Sequence, residues 1–260
     1  MTTVLALLAG VVGLLIGSFL NVVVHRVPRG ESVVRPPSAC PGCGRPIRPR
    51  DNVPVLGWLL LRGRCRDCGA LISRRYPAVE LLTAVLFVIM VVRFGPDPVL
   101  PAYLYLAAVG LALALIDLDC KRLPDALTLP SYPVAVVLLG AAVVLGSDSG
   151  ELLRAVLGGV AMGAVYFALW FAYPAGMGFG DVKLAGVLGL YTAWLGWGAW
   201  FVGLFLGFLL GGLFGIALIA LRKGGRKTAV PFGPFMLVGV LVAVLAGPEL
   251  ARGYLDLTGV

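Results

Sequence analysis

The sequence predicts an all-α polytopic membrane protein, with about eight transmembrane helices and a cytoplasmic four-cysteine loop between the first two. Three observations carry that reading. The 260 residues are 60% hydrophobic and only 13% charged, about half the charged share of a soluble domain. The apolar residues fall in stretches close to the roughly 17–25 residues that cross a bilayer as a helix. The basic residues behind the net charge of +8 gather in a few loops between these stretches, where they set topology and meet anionic lipid. That distribution points to the lipid bilayer as a partner and away from nucleic acid.

The apolar stretches lie at 3–24, 77–94, 100–117, 128–146, 152–174, 182–196, 198–221 and 230–248. Residues 182–221 form one block of about two span lengths, divided at Gly196-Trp197-Gly198. The first stretch is expected to be a retained span. It has no basic segment ahead of it, is too long for a signal-peptide core, and ends without a small-residue cleavage site. With the N-terminus outside, the inner loops are 25–76, 118–127, 175–183 and 222–229. Arg26 to Arg75, Lys121, Arg122, Lys183, Arg222, Lys223, Arg226 and Lys227 then all lie inside, leaving Arg93, Arg154 and Arg252 outside. The excess of inside positive charge supports eight spans with both termini out. Gly203, Gly207, Gly211 and Gly215 recur every fourth residue of the seventh stretch and are expected to pack against a neighbouring helix.

The first inner loop contains Cys40-Pro-Gly-Cys43 and Cys65-Arg-Asp-Cys68, two C-x2-C knuckles with 21 residues between them. Four thiolates so placed suit a tetrahedral structural zinc. The separation is slightly longer than in most zinc ribbons. Disulfide or redox chemistry is the alternative, disfavoured in a reducing compartment. Four cysteines close the coordination shell, so such a zinc is structural and not catalytic. Cys120 has no cysteine partner in the pattern, and His25 is the chain's one histidine. Nucleophile–histidine machinery is therefore not in view, and hydrolytic options narrow to metals or carboxylates.

Carboxylates are available at the right places. Asp117, in Ile116-Asp117-Leu118-Asp119, closes the third stretch, and Asp181, in Gly176-Met-Gly-Phe-Gly-Asp181-Val-Lys183, opens the sixth. The predicted topology puts both on one membrane face. Ionisable residues at such positions are functional-site hypotheses by default. Two carboxylates held together share a proton, so one can activate water while the other polarises a carbonyl. Asp119 sits two residues from Asp117 and points elsewhere on a helix. Asp125, after Pro124, is expected in a turn or helix start, and Lys183 is either an electrostatic neighbour or a topological anchor. The plainer reading of Asp181 is a helix N-cap. A proton- or ion-coupled transporter and a zinc-stabilised scaffold without catalysis are the other classes these residues allow.

Five motifs in order resemble one family, the type IV prepilin peptidases, also called prepilin leader peptidase/N-methyltransferases. They are Gly17-Ser-Phe-Leu-Asn21-Val-Val-Val-His25-Arg26-Val-Pro28, the paired knuckles, Ile72-Ser-Arg-Arg-Tyr76-Pro-Ala-Val-Glu80, Ile116-Asp117-Leu-Asp119 with Leu123-Pro124-Asp125, and Gly178-Phe-Gly180-Asp181-Val-Lys183. The resemblance implies a membrane aspartic protease, with Asp117 and Asp181 catalytic. It would cut the basic leader of prepilins or pseudopilins at the cytoplasmic face of the inner membrane, in type IV pilus or type II secretion systems. It further implies methylation of the new N-terminus from S-adenosylmethionine, with residues 1–80 as the Cys-rich methyltransferase region and 81–260 as the peptidase. No motif in the chain marks where the methyl donor binds.

Overall fold

A computed structural model describes residues 2–174, 176–221 and 230–258. Among these residues the secondary structure is helical, apart from two isolated β-bridges. The helices are α1 (Thr2–Arg26), α2 (Leu56–Leu60), α3 (Arg75–Phe94), α4 (Leu100–Cys120), α5 (Asp125–Val144), α6 (Ser149–Ala172), α7 (Phe179–Trp194), α8 (Trp197–Ala220) and α9 (Gly233–Thr258). All eight expected stretches are therefore helices. Seven, namely α1, α3, α4, α5, α6, α8 and α9, are long and apolar enough to cross a membrane. The eighth, α7, has 16 residues, about 24 Å against a hydrocarbon core of about 30 Å. Its residues from Asp181 to Trp194 are buried by protein, with Lys183 the partial exception. A helix wrapped by other helices need not match the bilayer, because it does not meet lipid. The basic loop residues Arg222, Lys223, Arg226 and Lys227 lie outside the described residues.

The chain divides into two compact units, residues 1–112 and 113–260, with the division inside α4. In the first unit α1 and α3 run antiparallel. Gly10 faces Val88, Gly13 faces the backbone of Ala84, and Gly17 faces the backbone of Glu80. A side chain at Gly13 or Gly17 would bring its Cβ to 2.6 Å from the opposing Cα, so small residues are what let these two helices meet. The close packing returns the chain to the level where the cysteine loop begins, and Asn21 Nδ2 fastens the junction by donating to the Tyr76 carbonyl at 3.2 Å.

In the second unit α7 lies among α5, α6, α8 and α9. The α6–α7 seam is again built from glycines, with Gly158 and Gly159 against the backbone carbonyls of Gly189 and Gly186. Arg154 of α6 donates through Nε to the Ala193 carbonyl at 2.7 Å and also reaches that of Trp194. It thus satisfies carbonyls left open at the α7 C-terminus. The glycine stripe of α8 packs as expected for Gly203, Gly207 and Gly211, which meet Ala243, Met236 and Phe232. Gly215 faces open space.

Candidate active site and cysteine cluster

Asp117 and Asp181 come together in the second unit. Asp117 lies in the last turn of α4 and Asp181 in the first turn of α7; they are only 5% and 8% exposed. They are close enough to interact electrostatically. Each carboxylate is held by one backbone donor. Asp117 Oδ2 accepts from the Gly233 N–H at 3.0 Å, and Asp181 Oδ2 accepts from the Gly178 N–H at 3.1 Å. Both donors stand at helix starts, where backbone N–H groups lack intrahelical partners. Asp181 is therefore not the N-cap that its sequence position allows. Gly178 is the cap, and Asp181, three residues on, reaches back to it as the acidic half of a capping box.

Leu123 joins the two acidic segments. A Cβ added at Gly180 would lie 3.0 Å from Leu123 Cβ, and one at Gly233 would lie 3.3 Å from Leu123 Cδ2 and 2.9 Å from Asp117 Oδ2. The glycine before Asp181 and the glycine that donates to Asp117 thus close on the same side chain. Tyr166 is buried, near enough to Asp181 to feel its charge, and its ring stacks on Phe208 at 5.0 Å. Tyr132 donates its hydroxyl to the Lys183 carbonyl at 2.7 Å, anchoring the first turn of α7 to α5.

The remaining acids separate from this pair. Asp119 is exposed, on another face of α4. Asp125 begins α5 behind Pro124 and receives Lys183 Nζ at 2.7 and 2.8 Å. Lys183 is thus a neighbour of an acid, though of Asp125 at the rim. Sequence reasoning missed Gly233, Tyr132 and Tyr166, and had Leu123 only as part of a motif, with no role. Pro231-Phe-Gly-Pro234 carried a helix-start signal for α9, but nothing local says whose carboxylate the exposed N–H will meet.

The four knuckle cysteines also converge, in the first unit. Their sulfur atoms all lie within 4.8 Å of one another, with Cys40 and Cys68 3.7 Å apart. A tetrahedral zinc with bonds of about 2.3 Å needs sulfur separations of ~3.8 Å, so the donor set fits a metal of that kind. All five cysteines are free thiols. The two knuckles repeat one turn. Gly44 N–H donates to the Cys40 carbonyl and Gly69 N–H to that of Cys65, at 2.8 and 2.9 Å, while Cys40 and Cys65 N–H donate to Arg45 and Ala70. Gly44 and Gly69 sit at φ of 70° and 72°, which glycine adopts without steric cost. The Cys43 and Gly42 N–H groups draw the Cys40 thiol down to about 7.

Comparison with known proteins finds clear relatives. Residues 11–94 match the bacterial peptidase A24 N-terminal domain, and residues 104–216 match the type IV leader peptidase family. A protein of Aeromonas salmonicida is 40% identical over 94% of this chain and 91% of its own length. One of Pseudomonas aeruginosa is 36% identical over 95% and 92%, and one of Neisseria gonorrhoeae is 38% identical over 94% and 92%. Each is named prepilin leader peptidase/N-methyltransferase. No solved structure matches the chain. The transporter alternative finds no support among these relatives. The paired acids, the cysteine cluster and full-length similarity lead to one conclusion: the chain belongs to the type IV leader peptidase family.

Proposed function

We propose that Asp117 and Asp181 hydrolyse the peptide bond between the leader and the apolar helix of prepilins or pseudopilins, at the cytoplasmic face of the inner membrane. The observation that carries this is the convergence of two buried carboxylates from motifs 64 residues apart, each tethered through one oxygen to a backbone N–H. Tethering Oδ2 leaves the other oxygen of each group for chemistry and removes the reorganisation that free side chains would need. One carboxylate takes a proton from water, whose oxygen attacks the scissile carbonyl carbon. The other, protonated, gives its proton to the carbonyl oxygen. The tetrahedral diol then collapses as the C–N bond breaks: the departing amine takes the proton that the first carboxyl had drawn from water, and a diol hydroxyl returns its proton to the second, which restores the pair. The basic leader stays inside by the same charge rule that orients the chain.

The first region, residues 1–80, carries the second activity, transfer of a methyl group from S-adenosylmethionine to the new N-terminal amine. The four cysteines hold a structural zinc that fixes the loop; bound, it supplies crosslinking and no open coordination position. The decisive experiment incubates the purified chain with a prepilin peptide, with and without S-adenosylmethionine, and reads the product by mass spectrometry. Asp117→Ala and Asp181→Ala, still inserted, are each expected to abolish leader removal. Cleavage retained in both would refute the assignment.

A further inference from the structure

A cavity of about 610 Å³ opens in the first unit, walled by the end of α1, the Val53–Val55 turn, α2 and the start of α3. Its size lies within the range of small-molecule sites. Four carboxylates line it, and two are committed to cations. Asp51 takes a two-pronged contact from Arg66 at 2.8 and 2.6 Å. Asp67 takes Arg45 and Arg48, each at 3.2 Å. Glu31 is exposed at the rim. Glu80 is different: it is 7% exposed, pairs with no cation among the described residues, and is held in place. Its Oε2 accepts the Val55 N–H at 2.7 Å, and the Ser18 hydroxyl hydrogen-bonds it.

The Val55 contact is made at the expense of backbone comfort. Val55 has φ of 60°, a region a β-branched residue avoids. Such strain persists where surrounding structure enforces it, and it clusters at ligand sites. The lining also offers rings. Trp58 Nε1 donates to the Ile72 carbonyl at 3.1 Å, which fixes the indole, and Tyr76 lines the same space. A buried, oriented acid without a cation is stabilised by a ligand that brings positive charge, and fixed aromatic faces suit a flat heterocycle.

We propose that this cavity is the methyl-donor site: it takes S-adenosylmethionine with the Glu80 carboxylate against the sulfonium. The proposal rests on the methyltransferase reading, and the two are separable by experiment. Calorimetric titration of the full chain in detergent is made with S-adenosylmethionine and with S-adenosylhomocysteine, whose sulfur is neutral. Glu80→Gln is expected to weaken the donor by about tenfold or more and the product by about threefold or less, because only the donor loses a charge pair. Val53→Trp, which places bulk in the cavity from a half-exposed position, is expected to weaken both by about tenfold or more. Equal losses for both ligands in Glu80→Gln, or wild-type binding in either variant, overturn the proposal. If the unaltered chain binds neither ligand, the methyltransferase reading itself fails. Metal content of the cysteine cluster reports folding of each variant; should Glu80→Gln lose it, Val53→Trp decides alone.

Discussion

The Gly233 N–H donates to Asp117 Oδ2 at 3.0 Å, joining the start of α9 to the end of α4 across 116 residues of chain. The contact needs a glycine. A methyl group there would stand 2.9 Å from the carboxylate oxygen and 3.3 Å from Leu123. Gly233→Ala is therefore expected to displace Asp117 and, on the proposed catalytic role of that acid, to lower kcat for leader cleavage by roughly 10–100-fold, since small misplacements of a catalytic group cost that much. The check is single-turnover cleavage of a prepilin peptide by the inserted variant.

On the proposed mechanism Asp117 and Asp181 act together, so their substitutions are expected not to add. Asp117→Asn and Asp181→Asn are each expected to lower cleavage by about a thousandfold or more, with the double variant no worse than either. Rates measured for all three against wild type test this, and multiplicative losses would show two independent groups.

Lys183 and Asp125 form a pair at the rim, with side chains 24% and 55% exposed. A pair this open to solvent contributes about 0–1 kcal/mol. Asp125→Asn is expected to change cleavage by less than about fivefold, and raising salt should shrink the difference from wild type. A loss as large as that of Asp181→Asn would place Asp125 in the chemistry.

The cysteine cluster gives a pH dependence of known sign. Backbone N–H groups of Cys43 and Gly42 draw the Cys40 thiol down to about 7, while burial and the neighbouring thiols push Cys68 up to about 12 against the Ala70 N–H. Metal binds thiolate, so protons compete. Affinity should therefore rise with pH across the neutral range, on the order of tenfold per unit for each proton displaced, and more steeply below about 7, where Cys40 also binds a proton. Competition with a chelator at pH 6 and pH 8 measures it. Replacement of any one of the four cysteines by serine should weaken the metal affinity and lower the sulfur-to-metal absorption of the cobalt-loaded protein by about a quarter or more.

Much of this was legible in the residues. Span-length apolar runs and arginine placement marked the eight helices to within a few residues at most ends, and the C-x2-C pairs marked the cluster, because both signals are local. The α9 helix runs on to Thr258, past the 248 expected, since Pro248 lies inside the helix and does not end it. What was not legible depends on where distant backbone meets. The Gly10, Gly13 and Gly17 face of α1 has meaning only beside Ala84 and Glu80. Gly233 was read as part of a span and not as a donor. The shortness of α7 follows from the neighbours that bury it, which a hydropathy window cannot see.

The order in which the helices emerge has a consequence for the cell. Asp117 and Asp181 are both made well before Gly233, and α7 is enclosed only when α8 and α9 have joined it. A ribosome-bound intermediate ending near residue 221 thus has both acids but neither the last anchor nor the last wall. On the proposed assignment of Asp117 and Asp181, the site is therefore complete only once the final helix has docked and Gly233 has met Asp117.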